Sequence, residues 1–307
     1  MFPVTCGEIF LVPACPGGKD KTMFRKILLC SDLSTASDTL IQCVNELKPV
    51  GVEQVVLTHV IHVVDTLLPG DALTEKVRTG LERQKKILEE HGLQVITEMP
   101  EGPAARTLNE TAEKHDVSAI LIGSHGKGII HSATLGSVSA MLLHHAHRPV
   151  LLARIALLDD GKCKLVCRDL FSDVLFPTDL LETAERALDY LIKISTATKC
   201  RVTLMHVIEE KPSTTAETIR LEETPRFLLE SKKIRLESHG VTDVTIEIAF
   251  GIPYEKIIDR TREGKVSLIV MGCNGKVPRE EIITGSVSNK VLRHAEAPVL
   301  LIPSLRP

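Results

Sequence analysis

Short apolar runs alternate with stretches of helical periodicity along most of the chain. Residues 26–31 form an apolar run, and 37–47 place apolar side chains three and four positions apart, as an amphipathic helix does. Residues 54–60 are β-branched and strand-like, and 72–90 read as a long helix that stops at His91-Gly92, where glycine suits the C-cap. A strand at 94–99, a helix at 103–114, a strand at 118–122, a helix at 137–146 and a strand at 150–153 complete the first series. A second series follows, with strands near 174–176, 201–207, 245–249, 268–271 and 299–302. Nearly all-apolar strands separated by helices imply parallel sheets covered on both faces. Right-handed crossovers then give a doubly wound α/β fold, whose ligands lie beyond the C-terminal strand ends at the switch point.

The two series are copies. Pro149-Val150-Leu151-Leu152-Ala153-Arg154 resembles Pro298-Val299-Leu300-Leu301-Ile302-Pro303, and Gly136-Ser137-Val138-Ser139 recurs as Gly285-Ser286-Val287-Ser288. Both pairs are 149 positions apart (298 − 149 and 285 − 136). A period this long is a duplicated domain rather than a solenoid. The division expected is an N-terminal extension at 1–22, a first domain at 23–156, a linker at 157–169 with Asp159-Asp160-Gly161-Lys162 as a turn signal, and a second domain at 170–307. The extension has no counterpart in the second half and is expected to be weakly ordered, or an upstream start that is not used.

Beyond the fourth strand of each half stands the same glycine pattern. Gly123-Ser124-His125-Gly126, nine residues, then Gly136-Ser137 is matched by Gly272-Cys273-Asn274-Gly275, nine residues, then Gly285-Ser286. This is neither a P-loop nor a dinucleotide fingerprint. A glycine at the end of a buried strand lets a ligand approach the backbone. The second pair opens a helix, where free N–H groups and serine hydroxyls can hold phosphate oxygens, and Lys127 and Lys276 could add charge. The plainer alternative is tight turns with N-cap serines. A nine-residue gap kept through divergent filler favours the ligand, because turn chemistry alone would not fix the loop length. Asp32 and Asp179, each following a first strand, read equally as ligand contacts and as helix caps.

With these motifs the sequence resembles the universal stress protein family in its tandem two-domain form, from Phe24 to Pro303. The glycine pattern is that family's ATP-binding signature, and the resemblance extends to Cys30-Ser31-Asp32, Pro177-Thr178-Asp179, His59-Val60 and His206-Val207. It implies two tandem Rossmann-like, adenine-nucleotide-binding domains, each with a five-stranded parallel sheet. The first site it implies is Asp32, Val60, Ile122, Gly123, Gly126, Gly136, Ser137, Val138 and Ser139. The second is Asp179, Val207, Met271, Gly272, Gly275, Gly285, Ser286, Val287 and Ser288. The second half follows the nucleotide-binding version more closely, since Cys30-Ser31 replaces a Pro-Thr pair in the first. The resemblance also implies pairing through the fifth strand, which a tandem chain can satisfy internally as a pseudo-dimer of its halves, with a homodimer of the whole chain as a further option.

Composition narrows the partners. Among 307 residues, 37 basic side chains are interleaved with 40 acidic ones for a net charge of −3. That gives no basic field for nucleic acid or an anionic membrane. No Trp and only two Tyr leave little for base-stacking platforms. Eight cysteines, several inside apolar runs, do not suggest a disulfide framework in a chain this long. No apolar run approaches a membrane span, and no basic residue precedes the apolar stretch at 9–14, so a cytoplasmic protein without a secretory signal is expected.

His144-His145-Ala146-His147 looks like a metal cluster, but only residues 144 and 147 share a helix face, and the second half keeps one histidine there. No metal site is expected. Cys163 and Cys167 read as fortuitous linker cysteines, with a redox pair as the lesser alternative, and His59 and His206 as strand-end packing. Asp32 and Asp179 could help place a Mg2+ ion, yet no second acidic group offers itself as a general base, and no catalytic residue is assigned. The expected function is an ATP-binding stress-response module acting through conformation or a protein partner that the sequence does not name. The alternative is a slow ATPase or nucleotide hydrolase using the same pockets.

Overall fold

The computed structural model describes residues 24–61, 70–124, 135–157, 163–165, 169–181, 184–263, 265–273 and 285–303. The extension at 1–22 and the motif glycines Gly126 and Gly275 lie outside them, as do Lys127 and Lys276.

The first half runs β1 (Lys26–Cys30), α1 (Thr35–Glu46), β2 (Gln54–Thr58), α2 (Gly70–Glu90), β3 (Gln94–Glu98), α3 (Ala104–Lys114), β4 (Ala119–Gly123), α4 (Ser137–His145) and β5 (Val150–Ala153). Then come β6 (Ile155–Leu157) and β7 (Cys163–Leu165). The second half repeats the order as β8 (Asp173–Pro177), α5 (Glu185–Thr198), β9 (Arg201–Ile208), α6 (Thr215–Ser238), β10 (Val244–Phe250), α7 (Pro253–Arg262), β11 (Leu268–Gly272), α8 (Ser286–His294) and β12 (Val299–Ile302).

Within each half the five strands are parallel, in the orders β3-β2-β1-β4-β5 and β10-β9-β8-β11-β12. This is the doubly wound arrangement expected from the alternation. The order reverses between β1 and β4 and between β8 and β11, so those gaps are the switch points.

Alternation within the strands feeds two apolar layers. In β1, Ile27 and Leu29 join the layer shared with Leu40, Val44, Leu81 and Leu88 of α1 and α2. Leu28 points the other way, among Leu108 and Ala112 of α3 and Leu142 of α4. In the second half Leu188, Leu191, Leu229 and Leu236 continue the first layer, and Ile257, Val291 and Leu292 the second. Each fully buried leucine of this kind contributes on the order of 2–5 kcal/mol against truncation to alanine. The long helices end alike, at Gly92 and Gly240, whose φ angles of 77° and 85° glycine adopts without strain.

The halves meet edge to edge. β12 pairs antiparallel with β5, with Val299 opposite Leu152, Leu300 opposite Leu151 and Leu301 opposite Val150. One ten-stranded sheet results. Above the joint, Asn289 Nδ2 of α8 stands 3.5 Å from His144 Nε2 of α4. The segment read as a plain linker carries structure of its own: β6 and β7 form a two-stranded antiparallel ladder, Ile155 opposite Leu165 and Leu157 opposite Cys163.

Candidate functional site

The end of β1 is a tightly tied turn. Leu33 adopts the left-handed conformation at φ 59°, costly for a leucine, and its N–H donates to Ser31 Oγ at 3.1 Å. Ser31 Oγ in turn donates to Oε1 of the fully buried Gln84 at 2.7 Å. The Gln84 amide donates to Asp38 Oδ1 at 2.7 Å, and Arg83 donates to both oxygens of that carboxylate at 2.6 and 2.8 Å. A chain of polar contacts thus anchors the turn to α2. The turn of the second half is built alike: Leu180 has φ 64° and donates to Thr178 Oγ1 at 3.0 Å. There Lys232 takes the place of Gln84, buried and paired with Glu185.

Both aspartates take part in the turn that follows the first strand of their half. The N-cap of α1 is Ser34, whose side chain accepts the Ser37 N–H. Asp32 Oδ1 braces that cap, accepting the Ser34 N–H at 3.0 Å and the hydroxyls of Ser34 and Ser37. Asp179 Oδ1 accepts the Leu181 N–H at 3.1 Å.

The repeated histidines are structural ties. His59 Nδ1 lies 2.9 Å from the Ser31 carbonyl oxygen, and His206 Nδ1 2.8 Å from that of Thr178. Accepting carbonyls place the proton on Nδ1 in both rings. Each histidine pins the end of the second strand to the end of the first. His144 faces α8, where burial, His145 and Arg293 hold its pKa below the ordinary value, and His147 pairs with Glu113.

At the fourth strand ends, the Gly136 N–H donates to the Ser124 carbonyl at 2.9 Å and the Gly285 N–H to that of Cys273 at 2.8 Å. These two donors close the loop rather than face a ligand. The hydroxyl of Ser139 donates to the Gly123 carbonyl at 2.8 Å and that of Ser288 to the Cys273 carbonyl at 3.3 Å. The first intrahelical bonds of α4 and α8 are Ala140 N–H to Gly136 and Asn289 N–H to Gly285. The N–H groups of residues 137–139 and 286–288 therefore head their helices without an intrahelical acceptor, the arrangement that favours an anion.

A cleft of about 830 Å³ opens over the switch point of the first half. Asp32, Val60, Ile122, Gly123, Ser137, Val138 and Ser139 all line it. Gly136 adjoins it as the N-cap of α4. Asp179, Val207, Met271, Gly272, Gly285, Ser286, Val287 and Ser288 occupy the matching strand and helix ends of the second half. Cys30, whose thiol burial pushes well up, lines the floor.

The sequence reading missed the wall contributed by α2: Lys76, Thr79, Gly80 and Arg83. Gly80 left a signal, since a lone glycine in the interior of a helix costs about 1 kcal/mol relative to alanine and so points to a close approach.

The doubly wound sheets and the cleft at the switch point define a Rossmann-like α/β protein with the site architecture of nucleotide-binding folds. The model of the universal stress protein family matches residues 23–154 and again 171–303, and the chain belongs to that family. A universal stress protein of Mycolicibacterium smegmatis is 24% identical over 294 residues, covering 90% of this chain and 96% of the relative. One from Methanocaldococcus jannaschii is 30% identical over 157 residues, 43% of this chain and 95% of its own length. The crystal structure of a universal stress protein from Archaeoglobus fulgidus superposes with a TM-score of 0.68 at 26% identity, over 92% of this chain and 98% of that one. Among the described residues no helix is long and apolar enough to cross a membrane.

Proposed function

We propose that this chain binds adenine nucleotide, ATP in the first instance, and acts in a stress response as a nucleotide-dependent binding or signalling module. One observation carries the reading: seven residues singled out from the glycine signature and its companion strand ends line a single cleft. The N–H groups at the head of α4 suit phosphate oxygens, and Gly123 leaves the strand end open to close approach. The apolar Val60 and Ile122 suit a base. The Asp32 carboxylate, which lines the cleft, suits ribose or purine donors, and a Mg2+ ion would accompany the phosphates. In the second half Asp179, Val207, Met271, Gly272 and Ser286–Ser288 would play the same parts.

The antiparallel β5–β12 joint supports an internal pseudo-dimer as the working unit, with a cytoplasmic location the natural one for such a module. The test is mass spectrometry of small molecules released by denaturing freshly purified protein, followed by titration with ATP and Mg2+. Adenine nucleotide in the release, or micromolar affinity, supports the reading; neither would sink it. Single-turnover incubation then separates a binding module, which returns ATP intact, from a slow ATPase.

A further inference from the structure

The two halves differ at one wall of the cleft. Gly80 stands in the middle of α2, where a Cβ would lie 3.1 and 3.2 Å from the two methyl carbons of Leu33. That is tighter than ordinary van der Waals contact. Leu33 has little room to retreat: its backbone is fixed in the left-handed conformation by Ser31, and its side chain already packs against the buried core. Both residues line the cleft. A side chain at position 80 therefore pushes the Leu33 methyls into the cleft.

The helices α2 and α6 correspond residue by residue at a spacing of 148 positions (92 to 240, 88 to 236, 81 to 229). The first pair are the left-handed glycines, and the other two are buried leucines. Gln84 and Lys232 fall in the same register, both buried and both bound to the acid at the start of α1 or α5. The same spacing sets Gly80 against Leu228. Leu228 of α6 is 38% exposed, a large apolar side chain where the first half has none.

We propose that position 80 decides which half takes the nucleotide tightly: Gly80 keeps the first cleft open for the nucleoside, and Leu228 narrows the second at the same wall. The proposal rests on the nucleotide reading above. The α4 end of the cleft, where the first-turn N–H groups have no intrahelical acceptor, takes the phosphates, so the nucleoside extends toward Leu33 and Gly80. Glycine, the poorest helix former after proline, stands at this point because the ligand needs the space.

The test uses the full chain and ATP with Mg2+ as the probe in isothermal titration. The wild type should show one tight site per chain. Gly80→Leu should weaken it at least tenfold. Gly80→Ala should weaken it several-fold while the chain stays folded, alanine's helix preference offsetting part of the contact with Leu33. Leu33→Ala added to Gly80→Leu should restore affinity, and Leu228→Gly should tighten a second site. ATP binding that both Gly80→Leu and Gly80→Ala leave intact overturns the proposal alone. Absence of ATP binding by the wild type overturns the nucleotide reading and this proposal with it.

Discussion

The guanidinium of Arg154 donates to the main-chain carbonyl of Leu292 at 2.7 Å, from the last residue before β6 to the final turn of α8. The same group reaches the carbonyls of Ala297 at 3.3 Å and Val291 at 3.4 Å. It is 7% exposed, and burial draws its pKa below the ordinary guanidinium value, to about 10. At neutral pH it remains a cation, seated at the negative end of a helix belonging to the other half. Pro303 stands at the corresponding position of the second half, so this clasp exists on one side only.

Replacing Arg154 with alanine strands those carbonyls away from water. The expected cost is about 1–3 kcal/mol of stability, the usual range for a buried group left without its partner. Urea denaturation of Arg154→Ala beside the wild type measures it, and an unchanged midpoint would show that water replaces the guanidinium.

Proline at Leu152 or Leu301 removes a donor from the interior of the ten-stranded sheet, where proline is not tolerated. Each change should loosen the contact between halves and enlarge the radius of gyration in small-angle scattering. Scattering curves that superpose on the wild type would mean that the β5–β12 ladder does not hold the halves together.

Gln84 links Ser31 to Asp38 through two hydrogen bonds inside the core. Gln84→Leu is expected to cost about 1–3 kcal/mol, because Ser31 and Asp38 lose a buried partner. The left-handed turn at Leu33 should also relax, lowering ATP affinity. The pair of readings is thermal melting and titration, and loss of stability with full affinity would separate the turn from the ligand.

Glu98 gives the fold a dependence on acid. The Lys114 ammonium at 2.8 Å, and then His115, hold its carboxyl below the usual range against an opposing desolvation. A carboxyl depressed by folding contributes stability that is complete above its unfolded value of about 4.3 and is lost as pH falls through the folded value. Melting temperature followed from pH 6 to pH 3 should fall more steeply for the wild type than for Glu98→Gln. Parallel curves would show that the pair contributes nothing to folding.

Much of this molecule is readable in its sequence because its strands are buried on both faces. Runs such as Leu28-Leu29 and Val299-Leu300-Leu301-Ile302 admit few other structures, and the structure gives β5 and β12 the limits that the sequence suggests. The cleft residues were legible where they sit on a repeated motif. Those on α2 were not, because Lys76, Gly80 and Arg83 belong to no motif and meet the cleft only through the packing of a long helix. Pro225 illustrates the limit of local propensity: α6 runs through it for 24 residues, held by Leu229 and Leu236 in the core. Arg154 could not be read as a clasp at all, since its partners are carbonyls some 140 positions away in the chain.

The antiparallel joint between β5 and β12 turns the strands of one half head to tail against those of the other. Their C-terminal ends, with the first half's cleft above one set, therefore emerge on opposite rims of the sheet. Five-residue strands rise roughly 17 Å, twice the screening length of about 8 Å at physiological salt. Two triphosphates seated there would scarcely repel one another. Any influence of one occupied rim on the other must pass mechanically through the strands and the α4–α8 contact, and a partner that senses both at once must reach around the sheet.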